Sequence, residues 1–181
     1  VASLSGGRAA YAALLLEALA AMGTATDSVA ALASLLAPDG RLTARCRESY
    51  DLRLNRARGY GALKAILGIL AEEELLNLTE ISHRLQRTPG STKDYLSWLE
   101  DVDLVTVQGK RYLFADPLLR LYVRLYGGAV PPTDNEVVRE VDAYARVRLT
   151  PVREPAGMAI SARAHAKGDE TEKPSGIIEI D

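Results

Sequence analysis

Between residues 84 and 111 the chain carries Arg84, Arg87, Lys93, Lys110 and Arg111, interleaved with the hydroxyls of Thr88, Ser91 and Thr92. Cations neutralise phosphates, and hydroxyls donate to phosphates or base edges, so these residue types in this order point to nucleic-acid contact. The same stretch holds Asp94, Glu100, Asp101 and Asp103, and a solvated mixed-charge face is the competing reading. A net charge of -2 and a pI near 5.8 exclude a strongly basic, non-specific binder, whose affinity would come from many neutralised phosphates.

Other chemistries find little footing. A phosphate-cradling P-loop needs Gly-x4-Gly-Lys-Ser/Thr, so that backbone N–H groups and a Lys surround the phosphates. The Gly109-Lys110 pair is followed by Arg111 and preceded at the required spacing by Leu104, so it is not one. His83 and His165 are the only histidines and Cys46 the only cysteine, which leaves no disulfide framework and no expected zinc site or Cys/His nucleophile pair. No catalytic residue and no metal site is expected in this chain. Cys46 reads as an ordinary helix residue, and His83 as a residue at the solvent edge.

The elements that would position the cations follow from hydrophobic periodicity and capping chemistry. Leu63, Ile66, Leu67 and Leu70 form one stripe of a helix over 62–73. Asn77 with Glu80 three residues later predicts a capping box opening a second helix, with Leu78, Ile81 and Leu85 inward. Thr88-Pro89 opens a third, a capping hydroxyl followed by a residue without an N–H to leave unpaired. Leu96, Leu99 and Val102 face inward there, with Tyr95 and Trp98 as core aromatics. Leu104–Val107 and Arg111–Phe114 then read as strands joined by a turn at Gln108-Gly109-Lys110. Three helices and a hairpin in this order predict a winged helix-turn-helix over 59–128, with the third helix aimed at the major groove.

The flanking chain is mostly helical in pattern. Helices are expected over 7–22, 27–36 and 42–57, the last rich in arginine, and together they read as a helical, lid-like subdomain over 1–58. Asp116-Pro117 caps a further helix through Tyr126 whose only charges are Arg120 and Arg124. A helix apolar on most sides must be buried or docked, so Leu118, Arg120, Leu121, Tyr122, Arg124 and Leu125 form a candidate interaction surface. Gly127-Gly128 and Pro131-Pro132 separate it from an additional helix within 129–150. Residues 151–181 read as a loose tail ending in a strand-like Gly176–Asp181. The chain begins at Val1, which reads as a fragment of a longer protein. The apolar run Ala12 to Ala21 is too short to span a bilayer, and a cytoplasmic protein with no membrane partner is expected.

Three segments carry a resemblance: Gly59 to Leu67, Arg87 to Leu99, and Phe114-Ala115-Asp116-Pro117-Leu118-Leu119-Arg120. Together they resemble the C-terminal part of the archaeal-type P-loop ATPases of the STAND/AAA+ group, over roughly residues 3 to 126. In that family a nucleotide-binding domain precedes a helical lid and a winged helix, which ends in an Asp-Pro-x-x-Arg helix matched here by Asp116, Pro117 and Arg120. Ser5-Gly6-Gly7-Arg8 is similar to the family's Gly-Gly-x-Pro lid motif, which makes Gly6 and Gly7 nucleotide-proximal candidates, although Ala9 stands at the Pro position. By this resemblance ATP and Mg belong only to an ATPase domain absent from this chain, and that domain is an expected partner.

The reading is therefore a mostly α chain: a lid-like subdomain, a winged helix with a small β-hairpin, a helix and a tail. Its expected role is that of a non-catalytic C-terminal region whose winged helix binds double-stranded DNA or regulates the ATPase domain. A stand-alone DNA-binding transcriptional regulator and a protein-interaction module are the alternatives.

Overall fold

Eight helices and one small antiparallel sheet make up the described chain, which in this computed structural model comprises residues 1–23, 27–55 and 59–149. The helices are α1 (Ala9–Met22), α2 (Ser28–Leu35), α3 (Arg41–Leu54), α4 (Tyr60–Glu72), α5 (Leu78–Leu85), α6 (Pro89–Asp101), α7 (Pro117–Tyr126) and α8 (Asp134–Leu149). Strands β1 (Val105–Gln108) and β2 (Arg111–Phe114) pair between α6 and α7. The described residues belong to one compact unit, Val1–Pro151. The expected tail and its terminal strand lie outside the described residues, as do Arg56 and Arg58 of the arginine-rich segment.

Most helix starts follow from local capping. The Asn77 side chain accepts from the Glu80 N–H at 3.0 Å, while the Glu80 carboxylate accepts from the Asn77 N–H at 2.7 Å. Thr133 and Glu136 make the same reciprocal pair ahead of α8. Asp27 caps α2, and Asp116 caps α7 by accepting from the N–H groups of Leu118 and Leu119. The first helix starts at Ala9 rather than at Gly7, because Gly6 and Gly7 both adopt positive φ and make a turn.

The hairpin differs from the expected three-residue turn. Gln108 pairs with Arg111, so the loop is only Gly109-Lys110, with φ of 56° and 66°. Two consecutive positive-φ residues are what a tight hairpin needs to match the twist of its strands. A third extended segment joins the sheet edge, where the Tyr112 N–H donates to the Leu76 carbonyl at 2.8 Å.

Helix α7 is the centre of the fold. It packs on α3, α4, α8 and β2, and Leu118, Leu119, Leu121, Tyr122, Val123 and Leu125 are all buried. Each such side chain contributes roughly 1.5–3 kcal/mol by leaving water. Along the α3 side, Tyr122 meets Tyr50 with ring centres 6.1 Å apart and stacks on Tyr126 at 5.3 Å. Helices α5 and α6 pack on α4, and β1 packs on α6, so the segment from α4 to β2 is held on one side of α7.

Candidate nucleic-acid interface

The α5–α6 corner is built by one strained residue and one cap. Gln86 takes a left-handed conformation, φ 54°, which ends α5, and Thr88 then opens α6. The Thr88 hydroxyl accepts from the Ser91 N–H, and the Ser91 hydroxyl donates to the Thr88 carbonyl at 3.1 Å. Thr92 is fully buried, its hydroxyl donating to the Thr88 carbonyl at 2.9 Å. The three hydroxyls therefore build the first turn of α6. Thr92 cannot reach a ligand from this position, which corrects its place among the contact candidates.

The five cations divide into two groups. Arg84 forms an ion pair with Glu73, and Arg111 donates to the Leu75 carbonyl at 2.6 Å and lies 3.8 Å from Glu80. These two side chains fasten α5 and β2 to the segment that leaves α4. Arg87, Lys93 and Lys110 are exposed and make no ion pair among the described residues. Glu73 and the Leu75 carbonyl come from the α4–α5 connection and Glu80 from the first turn of α5, so no spacing rule within α6 or the hairpin would have found them.

Acidic residues are distributed unevenly along α6. Glu100 and Asp101 occupy its last turn, roughly 12 Å of helix axis from Lys93 at 1.5 Å per residue. That separation exceeds the screening length at physiological salt, about 8 Å, so the exposed charges at the two ends are largely screened from each other. Burial and the neighbouring Asp101 raise the Glu100 carboxyl above its ordinary pKa. Asp94, exposed and next in sequence to Lys93, is the one acidic residue in the N-terminal half of α6.

The proposed interaction surface on α7 is not a surface. Leu118, Leu121, Tyr122 and Leu125 are interior, because α3, α4 and α8 of this same chain cover them. Arg120 and Arg124 are turned toward the C-terminal end of α4. Arg120 donates to the Leu70 and Glu72 carbonyls, each at 3.3 Å, and Arg124 to those of Ala71 and Glu72. These are carbonyls that a helix end leaves without partners, at the negative end of its dipole. Arg120 also lies 3.4 Å from Glu74, and Arg124 2.9 Å from Glu140 on α8. Burial lowers the Arg120 pKa, with Glu74 acting in the opposite direction.

Gly6 lies against the start of α7, whereas a Cβ on Gly7 would meet nothing within 4 Å among the described residues. A Cβ on Gly6 would lie 3.4 Å from the Pro117 ring, so this turn packs directly on the α7 cap. Arg8, next in the chain, places its Nε 3.0 Å from the Asp116 carboxylate and donates from Nη2 to the Ala115 carbonyl. The Tyr11 hydroxyl donates to the same carboxylate at 2.8 Å. Asp116 is only 2 % exposed, so Arg8, Tyr11 and two backbone N–H groups solvate its charge in place of water. Burial, with Cys46 and Asp116 nearby, pushes the Tyr11 phenol well above its ordinary value. Burial likewise pushes the Cys46 thiol up to about 12.

Sequence reasoning missed this cluster. The available signal was a capping Asp on a helix predicted to be buried all round, since a carboxylate in that place needs a donor from elsewhere. Beside it, a cleft of about 500 Å³ opens between the start of α1 and α3, lined by Arg8, Arg45, Glu48, Ser49 and Arg53.

Among the described residues no group of three His, Cys, Asp or Glu side chains is arranged to hold a metal ion, and no helix is long and apolar enough to cross a membrane. Comparison of the chain with protein-family models, with curated proteins and with solved structures finds no match.

Proposed function

We propose that α4 to β2 form a winged helix-turn-helix that contacts double-stranded DNA through the N-terminal end of α6 and the tip of the hairpin. The observation that carries this reading is the division of the cations. Arg87, Lys93 and Lys110 are exposed and unpaired among the described residues, whereas Arg84 and Arg111 are held by Glu73, Glu80 and the Leu75 carbonyl. Free cations at the start of a second helix and at a hairpin tip suit phosphate contact, and the exposed Gly90 leaves the first turn of α6 open to close approach. Three phosphates at most are neutralised, so binding is modest and depends on docking geometry rather than on bulk charge.

The sequence resemblance supplies the context. In that reading the chain is the non-catalytic C-terminal region of an archaeal-type ATPase, and ATP and Mg bind in a domain this chain lacks. One observation favours a regulatory role alongside DNA contact. The lid-like turn at Gly6 and the Arg8 side chain both rest on the cap of α7, whose arginines hold the end of α4. A displacement at the lid would therefore reach the first helix of the winged helix through packed contacts.

The test is fluorescence anisotropy of a labelled duplex with charge variants. Lys93→Ala and Lys110→Asn each remove one phosphate contact, worth about eightfold in affinity at 0.1 M salt. Arg84→Gln, which removes a cation already paired, changes affinity less than about twofold. Equal losses for Lys93→Ala and Arg84→Gln would sink the assignment of this face.

A further inference from the structure

We propose that the groove between α2 and α8 is a docking site for a cationic amphipathic helix of a partner protein. The groove encloses about 550 Å³. Its apolar floor comes from Val29, Ala30 and Ala33 on α2 and from Val137 and Val138 on α8. Val138 is 49 % exposed, a branched apolar side chain that no described residue covers. Alanines on the facing helix keep that wall low, which lets a third helix approach closely.

The charges on the rim select the occupant. Asp27, Asp134 and Asp142 line the groove, and among the described residues no cation lines it and none of the three carboxylates has an ion pair. Asp27 uses one oxygen to cap α2 and leaves the other toward solvent. On α8 the order is Asp134, Val138, Asp142, a four-residue repeat that puts acid, apolar and acid along one face. The two outer carboxylates are separated by roughly 12 Å of helix axis.

A complementary helix carries Lys or Arg two turns apart, with small or branched apolar residues on the turn between them. This is the groove-binding mode in which apolar anchors give affinity and flanking charges set register. The acidic rim repels nucleic acids and anionic lipid surfaces. The site also lies on elements other than α5, α6 and the hairpin, so it stands or falls independently of DNA contact.

The probe is a fluorescein-labelled synthetic 16-residue helix with Lys at two positions seven residues apart and Leu and Ala on the intervening turn. Its partner in the control is the same peptide with Glu in place of Lys. Anisotropy with the full chain is expected to show saturable binding of the Lys peptide and none of the Glu peptide. Asp134→Asn with Asp142→Asn weakens binding about fivefold, the effect of two exposed ion pairs. Val138→Glu, an exposed substitution that leaves the core intact, abolishes it. Thermal melts establish that each variant is folded. Absence of binding by the Lys peptide, equal binding of the Glu peptide, or affinity unchanged by Val138→Glu would each overturn the proposal.

Discussion

Replacing Asp116 by Ala tests whether the buried carboxylate joins the N-terminal helices to α7. Three contributions are lost. The α7 cap, with bonds of 3.0 and 3.3 Å to the Leu118 and Leu119 N–H groups, is worth about 1 kcal/mol. The Tyr11 hydroxyl, which donates at 2.8 Å in a buried setting, is left without an acceptor at a cost of about 1–3 kcal/mol. Arg8 is 39 % exposed and regains water, so its lost ion pair adds less than about 1 kcal/mol. The expected total is about 4 kcal/mol, a factor of about a thousand in the folding equilibrium and a large share of the roughly 5–15 kcal/mol a domain possesses. Asp116→Asn retains an oxygen for the cap and loses only about 1–2 kcal/mol. Urea denaturation followed by Trp98, the single tryptophan, and by far-UV circular dichroism measures both. Combining Asp116→Ala with Tyr11→Phe is expected to cost less than the two changes separately, since both delete the same bond. A loss below about 1 kcal/mol for Asp116→Ala, or strict additivity with Tyr11→Phe, would refute the linkage.

Arg124→Met frees the Ala71 carbonyl, leaves that of Glu72 to Arg120 alone and breaks the Glu140 pair, and is expected to destabilise by about 1–2 kcal/mol in the same urea assay. Arg124→Lys recovers less than half, because an ammonium cannot span two carbonyls and a carboxylate as a guanidinium does. Alkaline pH is expected to destabilise the fold. Cys46 is raised from 9.0 to about 12 and Tyr144 from 10.0 to about 12, so the folded state holds these protons where the unfolded chain releases them. The stabilisation is complete below about pH 9 and falls away as pH rises toward 12, and Tm measured from pH 7 to 11 should decline accordingly. Cys46→Ala delays the onset of that decline toward pH 10, and an unchanged or rising Tm across this range would contradict the assignment.

Features written within a few residues of one another were legible in the sequence. The Asn77–Glu80 box, the Thr88-Pro89 start and the Asp116-Pro117 start depend on side chains bonding backbone one turn away, and the structure shows each of them. The all-round apolar character of α7 correctly signalled burial. What covers α7 was not legible, because α3 and α8 flank it from opposite directions along the chain. The hairpin turn was read one residue too long, since Lys110 at positive φ is not a residue that advertises a tight turn. The candidate interface was legible as a set of residue types. Its division into tied and free cations was not, because Glu73, Glu80 and the Leu75 carbonyl meet Arg84 and Arg111 only once the end of α4, α5 and β2 are packed together. The Arg8–Asp116 pair spans most of the chain and leaves no periodic trace.

The salt dependence of duplex binding tests the functional account most directly. Three free cations predict a slope of log Kobs against log salt of about -2.7, or a loss of about 40-fold between 50 and 200 mM. Lys93→Ala should reduce that slope to about -1.8. A duplex that fails to bind at 50 mM salt, or binding with no dependence on salt, would contradict the assignment of α6 and the hairpin tip to DNA contact.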